Sequence, residues 1–120
     1  MNNSELDNIN EQVAKALGWQ QDTMGWLEPS GWKAVEGGVM RRGQSKLPDY
    51  SRSIEAAWEI VEKMHEQKMR MGLNKFDGGY TVSFDQTYSS DGWTDAEKAP
   101  LAICLAFLKV KGIKITVNRG

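Results

Sequence analysis

The sequence predicts an α+β fold, a small α/β sandwich in which about three helices pack on a three- to five-stranded, mainly antiparallel sheet. Three segments repeat apolar residues at three- and four-residue steps, a spacing that is typical of amphipathic helices. The segments between them are short, rich in tryptophan and β-branched residues, and bounded by glycine or proline. Because 120 residues fit a single domain, we expect residues 1–120 to form one such sandwich.

The first predicted helix covers residues 4–17. Its start has a capping residue, Ser4, followed by acidic residues in the first turn. Gly18 suits the left-handed position that follows a helix end. The residues that define its apolar face are Leu6, Ile9, Val13 and Leu17.

Two short strands are expected between residues 19 and 39, because tryptophan and valine favour extended structure. Pro29, Ser30 and Gly31 predict a turn between these strands. Residues 40–50 contain Pro48 and several basic side chains, and we expect them to form a loop.

The second helix is predicted over residues 54–71, with Ser51 or Ser53 as its cap and Gly72 at its end. Its apolar stripe includes Trp58, which we place in the core together with Trp19. The remaining members of the stripe are Ile54, Ala57, Val61, Met64 and Met71.

Residues 80–84 alternate apolar and polar side chains after a glycine-rich turn and predict a strand. Thr94 and Glu97 match a capping box for a third helix over residues 100–111. Ile113, Ile115 and Val117 then alternate with polar residues, so residues 113–120 are expected to be a C-terminal strand extension.

Composition excludes several classes of protein. The net charge of −1 does not fit the overall basic excess of a typical nucleic-acid-binding protein. A lone cysteine, Cys104, excludes an internal disulfide, and a lone histidine, His65, excludes metal sites that need two histidines. We expect Cys104 to be a buried apolar residue and His65 to be structural or exposed. The sequence therefore predicts no catalytic constellation, no metal, no cofactor and no membrane segment.

A cluster of tryptophan and arginine residues is the candidate partner-binding surface. Trp26 and Trp32 flank the predicted turn, where strand alternation lets one of them face solvent. Tryptophan is enriched at binding hot spots because it buries a large area with few rotatable bonds. Arg41 and Arg42 follow within ten residues of Trp32 and favour an anionic partner, which includes a nucleic acid or a nucleotide.

Three stretches in order resemble the phage ABA sandwich domain family. Residues 47–64 resemble the central helix of that family, residues 99–109 its last helix, and residues 13–19 its opening motif. The resemblance implies a small α+β sandwich encoded by a bacteriophage or prophage. It implies no activity and supplies no catalytic residues.

These observations lead to a functional hypothesis. We expect a non-enzymatic phage accessory protein of the host cytoplasm that binds a host macromolecule, with a host protein as the preferred partner. Host modulation and inhibition of a defence system are the roles considered. The alternative is a module that sequesters a small ligand or nucleotide in a pocket formed by a tryptophan and both arginines. Self-association is a further option, since Met40, Met64, Met69 and Met71 are suited to an adaptable apolar surface.

Overall fold

The computed structural model describes residues 2–23, 25–34, 40–85 and 93–113. These residues form three helices and two antiparallel three-stranded sheets, with strand orders β1-β2-β3 and β4-β5-β6. The predicted α+β class is therefore confirmed, with the strands divided over two sheets rather than one. In chain order the elements are α1 (Asn3–Ala16), β1 (Gln20–Asp22), β2 (Gly25–Ala34), β3 (Met40–Ser45), α2 (Ile54–Glu66), β4 (Arg70–Phe76), β5 (Gly79–Asp85), β6 (Thr94–Ala96) and α3 (Ala99–Val110).

Helix α3 lies at the centre of the hydrophobic core. Its sequence is apolar on nearly every side, which is the pattern of a helix surrounded by other elements. It contacts β5 and β6 beneath it, and both α1 and α2 beside it. The thiol of Cys104 is completely buried here, as expected from the sequence. The other buried residues of α3 are Ala102, Ile103, Ala106, Phe107 and Leu108.

Helix α1 packs on α3 through the apolar face that the sequence predicted. Ile9 and Val13 are fully buried. The cap is Asn2 rather than Ser4, because the Asn2 side chain accepts a hydrogen bond from the Glu5 amide at 2.9 Å. Gly18 follows the helix with a φ of +103°, the left-handed conformation expected from its position.

Helix α2 is shorter than predicted. Ser53 caps its start by accepting a hydrogen bond from the Ala56 amide at 3.3 Å, which confirms one of the two proposed caps. The helix ends at Glu66, and Lys68 takes the left-handed conformation with a φ of 65°. The prediction that Gly72 ends the helix is wrong, since Gly72 lies within β4.

The sheet β4-β5-β6 packs one face against α2 and α3. Val82 and Phe84 of β5 are buried on that face. The predicted capping box is wrong, because Thr94 belongs to β6 and α3 begins after Lys98 without a side-chain cap. Residues 114–120, which hold most of the predicted C-terminal strand, lie outside the described residues.

The other sheet, β1-β2-β3, corrects two predictions. Residues 25–34 form one strand, so Pro29, Ser30 and Gly31 are not a turn between two strands. They lie in an irregularity of the pairing with β3 between Leu27 and Trp32. Residues 40–45, predicted as loop, form β3 because their backbone pairs with β2.

Two predictions about apolar side chains are also corrected. Trp58 is 47% exposed and is not part of the core, because the buried face of α2 is centred on Ala57, Ile60 and Met64. Met64 is buried and Met69 is packed against the core, so these methionines do not form the expected exposed patch. None of the helices in the described part of the chain has the length and hydrophobicity needed to cross a bilayer.

Candidate functional site

The four predicted partner-binding residues all lie in the sheet β1-β2-β3, which we call the arm. Its strands contact one another extensively. Within the described residues, the arm makes no extensive contact with the helices or with β4-β5-β6. A small sheet of this kind is stable on its own only if it has a hydrophobic face or packs against a helix. The arm is therefore a projecting surface whose orientation is set at its base.

The register of β2 and β3 separates the four residues into two pairs. Trp32 is the direct partner of Arg42, and Lys33 is the partner of Arg41. Direct partners in an antiparallel pair occupy the same face of the sheet. Trp32 and Arg42 therefore share one face of the arm.

The second pair is on the opposite face. Trp26 is the partner of Ser45, which lies four residues from Arg41 in β3 and thus on the same face. Trp26 and Trp32 are six residues apart and would share a face in a regular strand. The irregularity at residues 28–31 adds an odd number of residues to β2 relative to β3, so each face receives one tryptophan and one arginine.

Trp19 and Tyr50 lie at the base of the arm. Trp19 precedes β1 in the sequence, and Tyr50 follows β3. The Trp19 indole N–H donates a hydrogen bond to the Tyr50 hydroxyl. Tyr50 is only 1% exposed. Burial raises the pKa of Tyr50 to about 12, with a further contribution from the negative charge of Glu59 and a partial opposing effect of the Trp19 hydrogen bond. The neutral tyrosine is thus strongly favoured in the folded protein.

A polar network fixes the segment that leaves the arm. The Asn10 side chain of α1 donates to the Asp49 carboxylate at 2.8 Å and accepts from the Ser51 amide at 2.8 Å. The Ser51 hydroxyl donates to the Leu6 carbonyl at 3.2 Å. Asn10 and Ser51 are both buried, so these bonds satisfy groups that water does not reach. The sequence reasoning missed this network, because nothing in a helical repeat marks Asn10 as different from an exposed asparagine.

Arg52 extends this network to the surface. Its guanidinium contacts the Asp7 carboxylate at 3.1 Å and the Asp49 carboxylate at 3.0 Å. Hydrogen bonding to Asp7 contributes most to raising the pKa of Arg52, which therefore stays charged. The two ion pairs tie α1 to the start of α2 beside the arm.

The arm also contacts the end of α1. A side chain added at Gly18 would place its Cβ 3.1 Å from the Cβ of Pro29, in the irregular part of β2. A larger residue at position 18 is therefore disfavoured by the positive φ and by the approach of Pro29.

The other candidate residues are not assembled into a site. Burial raises the pKa of the Cys104 thiol, so that it is held protonated within the core. His65 is exposed on α2. Among the described residues, no group of three or more His, Cys, Asp or Glu side chains is arranged to hold a metal ion.

Comparison with known proteins places the chain in a family. The model of the phage ABA sandwich domain matches residues 12–108. The chain belongs to the phage ABA sandwich domain family. This match confirms the resemblance seen in residues 13–19, 47–64 and 99–109. No curated protein and no solved structure matches the chain significantly.

Proposed function

We propose that this phage-family protein acts without catalysis, by binding a host protein in the host cytoplasm through its arm. The observation that carries the proposal is the arm itself, a sheet that projects from the helices and holds one tryptophan and one arginine position on each face. Host modulation or inhibition of a defence system would both follow from such binding.

The residue types of the arm favour a partner with an acidic and apolar surface. Tryptophan and arginine are the side chains most enriched at binding hot spots, where an aromatic anchor is surrounded by polar contacts. At the Trp32 end, Lys33, Arg41 and Arg42 occupy adjacent register positions, with Trp32 opposite Arg42 and Lys33 opposite Arg41. A carboxylate-rich protein surface provides the complementary charge.

A nucleotide or nucleic acid is the second candidate, favoured by one observation. Trp32 is directly paired with Arg42, which is a suitable combination for stacking on a base and contacting its phosphate. However, Arg41 and Arg42 are neighbours in a strand and lie on opposite faces. A single pocket lined by both arginines, as the sequence suggested, is therefore disfavoured by the register.

The proposal is tested by site-specific photo-crosslinking in host cells. A photoreactive phenylalanine analogue replaces Trp32, and in a matched control it replaces Glu62, an exposed residue of α2 far from the arm in sequence. We expect one dominant covalent adduct with a host protein from position 32 and none from position 62. Charge reversal of both arginines, R41E/R42E, should abolish the adduct while the circular dichroism spectrum is unchanged.

Four results would contradict the proposal. Equal labelling from both positions, or none from position 32, would remove the arm as a binding surface. An adduct that disappears after nuclease treatment would replace the host protein with nucleic acid as the partner. Turnover of a substrate by the purified chain would contradict its non-catalytic part.

A further inference from the structure

In the part of the chain that the structure describes, strand β4 is an edge of the sheet β4-β5-β6. It is seven residues long and pairs with β5 on one side only. Among the described residues, no strand pairs with its other side. Half of the backbone amides and carbonyls of such a strand point away from its neighbour and are available to a further strand. The opposite edge strand, β6, has only three residues and therefore has fewer backbone groups for pairing with a further strand.

Exposed apolar side chains lie beside this edge. Leu73 is 40% exposed although its direct partner in β5, Val82, is completely buried. Leu73 therefore faces the helices, and its exposure results from its position at the sheet edge. Ile54 and Trp58 on α2 are 49% and 47% exposed, and they are one helical turn apart on the same side of the helix.

The exposed side chains of Ile54 and Trp58 lie on the side of α2 that is turned away from the end of α3. On the other side of the helix, Gln67 accepts a hydrogen bond from Lys111 at 3.0 Å, at the end of α3. Trp58 is nine residues before Gln67, which places it on the opposite side of the helix axis, and Ile54 is one turn before Trp58. The sheet element packed against α2 is β4, so Ile54, Trp58 and Leu73 are exposed apolar residues of two adjoining elements.

We propose that two copies of this chain form a dimer in which their β4 strands pair antiparallel, centred on Leu73. The pairing joins two three-stranded sheets into one of six strands and places both α2 helices on the same side of it. Ile54, Trp58 and Leu73 of each copy are then covered by the same residues of the other.

The sequence of β4 is compatible with this register. With Leu73 opposite Leu73, Arg70 is opposite Phe76 and Lys75 is opposite Met71. No two like charges are then directly opposed, whereas a register centred on Lys75 would oppose two lysines. The chain's net charge of −1 adds little repulsion between copies. The arm is not involved, so the proposal is independent of the proposed function.

The test is sedimentation equilibrium of the full chain at concentrations from about 1 to about 200 μM, a range that brackets a micromolar dimer. We expect the mass to rise from 13.5 kDa towards twice that value. Leu73→Lys and Leu73→Glu each place like charges at the two-fold axis and should weaken association at least tenfold. An equimolar mixture of the two variants pairs Lys with Glu and should recover the dimer, which also shows that both variants fold.

The control is Asp95→Lys, a charge change at an exposed residue of β6 that should leave the dimer unchanged. A wild-type chain that stays monomeric over the whole range would overturn the proposal. So would a dimer insensitive to Leu73 charges, or a mixture that fails to recover association. A further variant ends at Ile113; if only this truncated chain dimerises, residues 114–120 compete for the edge and the proposed dimer of the full chain is wrong.

Discussion

Replacing Asn10 with alanine tests the network that holds the base of the arm. The variant removes the acceptor of the Ser51 amide, which is buried with Ser51 only 2% exposed. An unsatisfied buried amide costs about 1–3 kcal/mol. The hydrogen bond to Asp49 is lost as well, but Asp49 is partly exposed and keeps Arg52 as a partner. We therefore expect the free energy of unfolding to fall by about 3 kcal/mol.

The loss is measured by urea denaturation followed by tryptophan fluorescence. For a chain of this size, each kcal/mol corresponds to about 4 °C in melting temperature, so Asn10→Ala should melt about 12 °C below wild type. Asn8→Ala, at an exposed position of the same helix, is the matched control and should change stability by less than about 0.5 kcal/mol. If Asn10→Ala is as stable as this control, the network does not contribute as argued.

Three further predictions concern single residues. The pKa of Tyr50 is raised to about 12 in the folded protein from about 10 in the unfolded chain. The stabilisation that comes from keeping Tyr50 neutral is therefore fully present below pH 10 and is lost as the pH rises towards 12. The free energy of unfolding of wild type should fall by about 3 kcal/mol between pH 10 and 12 for this reason, and that of Tyr50→Phe should not. Equal slopes of unfolding free energy against pH in the two proteins would contradict this explanation. Gly18→Ala should destabilise more than Gly78→Ala, because both glycines have a positive φ but only Gly18 is approached by Pro29. Equal losses of about 1–2 kcal/mol in thermal melts would remove the Pro29 contact from the explanation. Cys104 should react with a thiol-specific chromogenic disulfide only as fast as the protein unfolds, and complete labelling of the native chain within seconds would contradict its burial.

The helices were the part of the fold that the sequence predicted best, because a helical stripe is a local signal. The start of α2 and its Ser53 cap were predicted correctly. Its end was not, because Met71 continues the helical spacing of apolar residues while belonging to β4. An apolar side chain at this position is compatible with a helix and with a strand, so it does not distinguish the two. The helix is ended by the left-handed backbone conformation of Lys68.

The strands were less predictable because their pairing is not local. Residues 40–45 show no apolar alternation, and β3 forms because its backbone pairs with β2. The same pairing decides the candidate site. The sequence identified Trp26, Trp32, Arg41 and Arg42, and all four lie in one sheet. Their division between two faces depends on the irregularity in β2. From the sequence, Pro29 and Gly31 predicted a turn at this place and not an irregularity within one strand.

Trp58 is a residue for which the helical spacing of apolar side chains gave a wrong prediction of burial. The apolar stripe that the sequence shows on α2 includes Trp58. Because α2 packs against α3 and β4, the face that is buried in the structure is narrower than this stripe. A half-exposed tryptophan on a helix that packs against an edge strand of the described sheet suits an interface. The error in the sequence prediction thus coincides with the surface proposed for dimerisation.

The connection between the arm and α2 determines how these surfaces can be separated by experiment. Residues 46–53 contain Tyr50 and the network partners of Asn10, and they lead from β3 directly into α2. A change at Asn10 loosens the base of the arm and the start of α2 together, so it should weaken host binding and dimerisation in parallel. Charge reversal at Arg41 and Arg42 should affect only binding, and Leu73→Lys only dimerisation. If Asn10→Ala remains folded and impairs one of the two activities alone, the segment does not couple the arm to α2.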